Sequence, residues 1–251
     1  MHCFVGIYYF GTRLQAENCV DVQKELIVGL LAMVESERQN QNIDKSIVQR
    51  LLRMLFSVGL YTDKFEYPFL AESQRFFAAE GQELVDSLDT PSFLLHVEKR
   101  LQQASEMVRE YLDVSTKSPL ISVIDNVLLL PHVGVMVERG LKGLMEQVRI
   151  KDMRRMFILL ERVDKLELLK DGVSNYIKKH GESLVGDNSR DKTLIEDLLQ
   201  FQDQCTMILK ECFKNSDSFR FAIKAAFEYL INPTVNHGNH HYMFMCMSLY
   251  E

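Results

Sequence analysis

FFAAEGQELV at residues 76–85 and YIKKHGESLV at residues 176–185 decide the fold, because the second passage rewrites the first about 100 residues later. Gly81 answers to Gly181, and the pair Leu84-Val85 to Leu184-Val185. Working outward, the segment before each copy is an amphipathic helix with a basic start, RLLRMLFSV at 50–58 and RRMFILLERV at 154–163. After each copy, TPSFLLHVEKRLQQASEMVREYL (90–112) parallels KTLIEDLLQFQDQCTMILKECF (192–213), and SPLISVIDNVLLLP (118–131) parallels SFRFAIKAAFEYLINP (218–233). Self-similarity at a fixed period marks stacked repeats, each burying a face on its neighbour, rather than a compact enzyme pocket.

Periodicity then sets the elements. Val22, Leu26, Ile27, Leu30, Leu31 and Val34 recur at helical spacing, a pattern Gly29 weakens but does not break. RQNQN (38–42) reads as a polar loop, after which Asp44 caps a second helix burying Ile47, Leu51, Leu52, Leu55 and Val58. A third helix runs from about Thr62 to Leu88, with Pro68 drawing its true start toward Tyr67. Thr90-Pro91 and Ser118-Pro119 read as cap-then-proline starts of helices four and five, since a hydroxyl accepts an orphan amide where proline has none to offer. From about His132 five further helices follow: GLKGLMEQV, MRRMFILLERV, LELLKDGVSNYIKKH closed by Gly181, the long TLIEDLLQFQDQCTMILKECF, and SFRFAIKAAFEYLI. ESLVGDNSRD reads as a polar loop, and no strand pattern of useful length is present.

The expected fold is therefore all-α, an elongated solenoid-like stack of two five-helix repeats at residues 20–131 and 132–232. The longest helices, about 23 residues, would span ~35 Å, making a rod rather than a ball. Residues 1–19 and 233–251 are atypical in composition, and the second is expected to be a disordered tail.

Composition narrows the function. At 251 residues, with 47% hydrophobic and 25% charged residues, the chain has enough apolar material for a substantial core. A formal charge of -6 and mixed-sign helices argue against direct nucleic-acid binding, which needs clustered cations. Five scattered cysteines, Cys3, Cys19, Cys205, Cys212 and Cys246, form no CxxC pair or disulfide framework, so a reducing compartment is expected. CFVGIYYFG at 3–11 lacks the basic flank of a secretory signal. No run is read as reaching the ~18 apolar residues of a membrane helix, so no membrane partner is expected.

The chemistry-bearing residues each have a structural reading. His237, His240, His241 and Cys246 hold imidazole and thiolate ligand types, but their spacing fits neither a helical zinc site nor a finger, so no metal site is assigned. Cys205 and Cys212 are read as core packing, His96 as a partly buried imidazole, and His180 as a favourable charge at a helix C-terminus. GLKGL (140–144) lacks the strand and the GK[ST] ending of a phosphate loop. Arg154-Arg155 and Lys178-Lys179 sit among acidic residues as solvated faces, while Met153, Met156, Phe157 and Leu160 form a packing stripe. No catalytic, cofactor-binding or metal-ligating residue is assigned, and no cofactor is expected.

YLDVSTKSPLI (111–121), TPSFLLHVEKRL (90–101), FAAEGQ (77–82) and DKTLIEDLLQFQDQ (191–204) with ECFKNSDSFRFAIKAAFEYLIN (211–232) resemble the N-terminal repeat region of the cullins, and within that family the fourth type. The resemblance covers residues 20–232 and implies that they are the second and third cullin repeats, of five helices each. It implies a non-catalytic scaffold of a modular ubiquitin ligase, in the nucleus and cytoplasm, whose partners are an adaptor and a RING subunit. The adaptor-binding first repeat would precede residue 20, where MHCFVGIYYFGTRLQAENC (1–19) stands instead, and the RING-recruiting region would follow residue 232. Both interfaces are therefore expected outside the matched segment, leaving a truncated, rigid spacer. The alternative is a non-enzymatic helical interaction module unrelated to ligation.

Overall fold

The computed structural model describes residues 20–39, 41–186 and 193–231, and every regular element among them is helical. The α-helices are α1 (Val20–Arg38), α2 (Lys45–Ser57), α3 (Tyr67–Ser87), α4 (Thr90–Glu110), α5 (Lys117–Ile124), α6 (Val133–Glu146), α7 (Ile150–Arg162), α8 (Leu166–Val185), α9 (Leu194–Cys212) and α10 (Asp217–Ile231). The described residues divide into two compact units, one of residues 20–86 with His96–Leu130, the other of Ser87–Leu95 with residues 131–231. The expected tails at 1–19 and 233–251 lie outside the described residues.

In the first unit, α1 buries Ile27, Leu30 and Val34, and α2 buries Val48, Leu52, Met54 and Leu55. The buried stripe of α2 is thus turned from the one expected: Ile47 is exposed, Leu51 and Val58 are half-buried, and Val48 takes the inner position. Asp44 does cap α2, its carboxylate accepting from the Ser46 and Ile47 amides at 3.0 and 3.2 Å. The hydrogen bonds, first from Ser46, hold that carboxyl below its ordinary pKa. Pro68 is accommodated as expected by starting the α-helix proper at Tyr67, and the lead-in Tyr61–Glu66 is a π-helical turn. The turn aligns Tyr61, Phe65 and Phe69 in an aromatic ladder with centroids 5.5 and 5.6 Å apart. Each such buried ring stabilises by about 1.5–3 kcal/mol.

In the second unit Phe157, Phe213 and Phe219 form the centre, with centroid separations of 4.6 to 5.7 Å, and Met153, Met156 and Leu160 bury beside them as expected. The two units use the same stop signal. Helix α2 ends with Gly59 at φ 72 and the Leu60 amide donating to the Leu55 carbonyl, while α7 ends with Asp164 at φ 55 and Lys165 donating to Leu160. Both are left-handed caps that satisfy carbonyls a helix end leaves orphaned. After α6 the same cap falls on Val148, φ 52, with Arg149 donating to Leu144.

Several expected boundaries move. Asp89, not Thr90, caps α4, accepting from the Ser92 amide at 3.0 Å, and Thr90 Oγ1 instead donates toward the Met136 carbonyl. Asp113, not Ser118, opens the helical run into α5, because its carboxylate accepts from the Ser115 amide at 2.9 Å and starts a 3₁₀ turn a few residues earlier. Helix α8 does not close at Gly181 but runs to Val185. Gly181 is buried there because Leu230 of α10 occupies the space a β-carbon would need, so its role is close approach rather than a left-handed cap. Consequently the first four residues of ESLVGDNSRD are helical, Gly186 caps them with its amide donating to the Glu182 carbonyl, and residues 187–191 lie outside the described residues. RQNQN is also not all loop, since Arg38 is the last, buried residue of α1.

Helices five and six of the sequence reading are one continuous helix, Val114–Glu146, carried through Pro131. A π turn at Asp125–Leu129 and a 3₁₀ turn at Leu130–His132 re-route the backbone bonds that proline cannot make. This helix is long and apolar enough, by length and composition, to cross a membrane, which overturns the expectation that no stretch would be. Asp125 is the one charge in residues 119–137. The apolarity has a packing cause: Leu120, Ile124, Leu128 and Leu129 bury in the first unit, and Val133, Met136, Val137, Leu141, Leu144 and Met145 in the second. A helix that fills core positions along its whole length carries apolar side chains on more than one face.

Candidate functional site

The buried polar groups show what the chain's chemistry is used for. Arg38, 8% exposed, donates to the Ser73 hydroxyl and lies over Phe69, Phe76 and Phe77 at 5.1, 5.4 and 5.5 Å from their centroids. Burial pulls its pKa below the ordinary arginine value, opposed by Glu35 at 3.6 Å. Ser73 in turn donates to the Phe69 carbonyl at 2.6 Å. A cation held by ring faces and a hydroxyl locks α1 onto α3. The sequence reading missed it, although Arg38 continues the buried series Ile27, Leu30, Val34 at helical spacing.

Glu80 of α3 accepts from Arg100 of α4, with Nε at 3.0 and 3.2 Å from its two oxygens. His96 Nε2 stands 3.2 Å from Glu80 Oε2, off the geometry of a hydrogen bond, so that contact is electrostatic. Burial pushes the Glu80 carboxyl up, but contacts with His96 and Arg100 outweigh it and leave the pKa below normal. His96 is thus the partly buried imidazole expected. Lys45 spans Glu37 and Glu110 at 2.7 and 2.5 Å, and Tyr111 donates to Glu37. Tyr61 and Thr116 share a hydrogen bond of 2.7 Å, and Thr116 donates to Glu66 at 2.7 Å. The Tyr61 and Tyr111 hydroxyls are pushed up in pKa chiefly by burial, which holds them protonated. Each of these clusters ties helices together.

The remaining candidates resolve in the same direction. Cys205 and Cys212 are free, buried and 1% exposed, with burial raising their pKa to about 12 and about 11. Such thiols are core atoms rather than nucleophiles. His180 is not at a helix end; it stacks on Tyr176 and packs against Phe201, centroids 5.6 and 4.5 Å away. Arg155 pairs with Asp152 at 2.7 Å, Arg154 with Glu211 at 3.1 Å, and Lys178 lies over Tyr229. GLKGL is helical, inside α6. Among the described residues no group of three or more His, Cys, Asp or Glu stands close enough to hold a metal ion. His237, His240, His241 and Cys246 lie outside them.

The relatives of the chain agree with this picture. The family description "Cullin alpha solenoid domain" matches residues 4–245. Cullin-4 of Dictyostelium discoideum is 34% identical over 232 residues, covering 92% of this chain and 29% of that protein. Cullin-4A of Homo sapiens is 35% identical over 233 residues, covering 92% and 30%, and Cullin-3 of Dictyostelium discoideum is 31% identical over 240 residues, covering 91% and 31%. The chain thus spans about 30% of the length of the curated relatives it matches. With a solenoid family matched along nearly its whole length and an all-helical structure beneath the match, this chain belongs to the cullin family.

Proposed function

We propose that residues 20–131 and 132–232 are the second and third cullin repeats and act as a rigid, non-catalytic spacer in a cullin-RING ubiquitin ligase, within ubiquitin-dependent protein degradation. The observation that carries this reading is the matched order of elements. Helices α2 and α7 each have 13 residues and end in the same left-handed cap, and each is followed by a pair of long helices, α3 with α4 and α8 with α9. The polar groups buried in these helices are spent on packing, which suits a spacer. The adaptor and RING contacts belong, in this reading, to parts of a cullin other than the spacer. We also propose an intracellular setting, nucleus and cytoplasm, supported by the two free buried thiols.

Co-expression of the chain with an adaptor and a RING subunit, followed by size-exclusion chromatography and a ubiquitination assay, tests the reading. A well-folded helical chain without stable co-elution or ubiquitin transfer is expected, and grafting the segment into a full-length cullin should preserve transfer. Stable co-elution with the RING subunit would overturn it. A second reading, a helical interaction module unrelated to ligation, is favoured by aromatic side chains left in solvent, Phe56 at 56% and Phe221 at 68% exposed. Loss of transfer in the graft despite native folding would favour it.

A further inference from the structure

The first unit carries a groove of about 310 Å³ where the face of α2 meets the last turn of α4 and the residues leading into α5. Its floor includes the buried Leu52, and its rim carries Phe56 and Val114, which stand 56% and 77% exposed. Arg53 and Phe56 are three residues apart on α2 and share a face, while Arg109 lines the groove from α4. Both arginines are exposed, and among the described residues neither has an ion-pair or hydrogen-bond partner for its side chain. Elsewhere in this unit Lys45 holds Glu37 and Glu110, and Arg100 holds Glu80. Of the carboxylates here, Glu110 is paired with Lys45, while Asp113 lines the groove and accepts from the Ser115 amide with its charge kept, so the lining holds two arginines against one carboxylate. On a chain of formal charge -6, the groove is therefore a local reversal of sign with an apolar floor.

We propose that this groove docks a short acidic peptide segment of a partner protein, an apolar side chain entering between Phe56 and Val114 while carboxylates meet Arg53 and Arg109. Arginine offers a planar fork matched to carboxylate geometry, and an exposed aromatic beside it supplies apolar area at low entropy cost. Extended polyanions fit less well. Binding to anionic lipid and to nucleic acid both grow with the number of cations engaged, so two arginines on an acidic chain hold neither. The inference concerns the first unit alone and does not depend on the ligase reading.

The probe is a fluorescein-labelled peptide of glutamates around a central Phe-Leu pair, titrated with the full chain by polarisation. Saturable binding is expected, weakened about tenfold or more by the double variant R53E/R109E, and weakened likewise by Phe56→Ser and by added salt. A lysine version of the peptide should ignore the native chain and gain affinity for R53E/R109E, a swap that a merely unfolded variant would not give. Circular dichroism melts accompany each variant; all three positions are solvent-exposed. No saturable binding would overturn the proposal. So would equal binding by R53E/R109E, equal binding of a peptide with Ala-Ala at its centre, or binding of phosphatidylserine vesicles without binding of the peptide.

Discussion

Gly140 of α6 lies so close to Thr90 of α4 that a β-carbon on Gly140 would collide with the Cβ, Oγ1 and Cγ2 of Thr90. One turn away on the same helix, Gly143 has nothing within 4 Å of the same position. The two glycines of GLKGL therefore predict opposite outcomes. Gly140→Ala should destabilise by about 1–3 kcal/mol through overpacking, because Thr90 meets it with atoms next to the backbone. Gly143→Ala should stabilise by up to about 1 kcal/mol. Urea unfolding of the two variants beside the native chain reads both; equal shifts would show that the close approach is absent.

Val148 is β-branched and holds φ 52, the left-handed region where a β-carbon crowds the following carbonyl. The same left-handed cap after α2 falls on a glycine, Gly59, at φ 72. Val148→Gly should therefore raise stability by about 1 kcal/mol. A melt showing a loss instead would mean that the Val148 side chain contributes more by packing than its backbone costs.

Glu80 has a folded pKa below its ordinary 4.5, so its contacts with His96 and Arg100 contribute stability above that value, lost as the pH falls through 4.5 toward the lower folded pKa. Glu80→Gln should cost about 2 kcal/mol at neutral pH. Toward about pH 3 the native chain should lose this advantage and the difference between the two should narrow. A gap independent of pH would mean that Glu80 acts through shape rather than charge.

Cys205 titrates at about 12 in the fold against 9.0 for a free thiol, so its contribution to stability is flat below 9.0 and declines between 9.0 and about 12, where only the unfolded chain releases the proton. At mildly alkaline pH both Cys205 and Cys212 should resist thiol reagents in the native chain and react rapidly in urea. Fast native labelling at either position, mapped by mass spectrometry, would contradict their burial.

The helical character of the chain was legible because the apolar stripes are strong: Ile27, Leu30 and Val34 bury as periodicity requires. The ends of helices were less so. Asp89 took the capping role expected of Thr90 because a carboxylate one residue upstream competes for the same amides, and Asp113 displaced Ser118 differently, by starting a 3₁₀ turn that already carries the chain into the helix before Ser118. Gly181 read as a terminator because glycine serves caps and close packing alike, and only the presence of Leu230 across from it tells them apart. Arg38 and the Glu80–Arg100 pair stayed hidden because charged side chains are read as solvated until a partner on another helix is known. The continuous helix was concealed by Pro131, which usually ends a helix but here follows a π turn.

That helix also has a history during synthesis. Val133, Met136, Val137, Leu141 and Leu144 pack in a unit of which only the start of α4 precedes them, while its helices α7 to α10 lie later in the sequence. At ribosomal speed, roughly 5–20 residues per second, a nascent chain would carry this apolar strip without its covering helices for on the order of ten seconds. The segment that fills positions in both helical cores therefore spends that interval as apolar surface held in water.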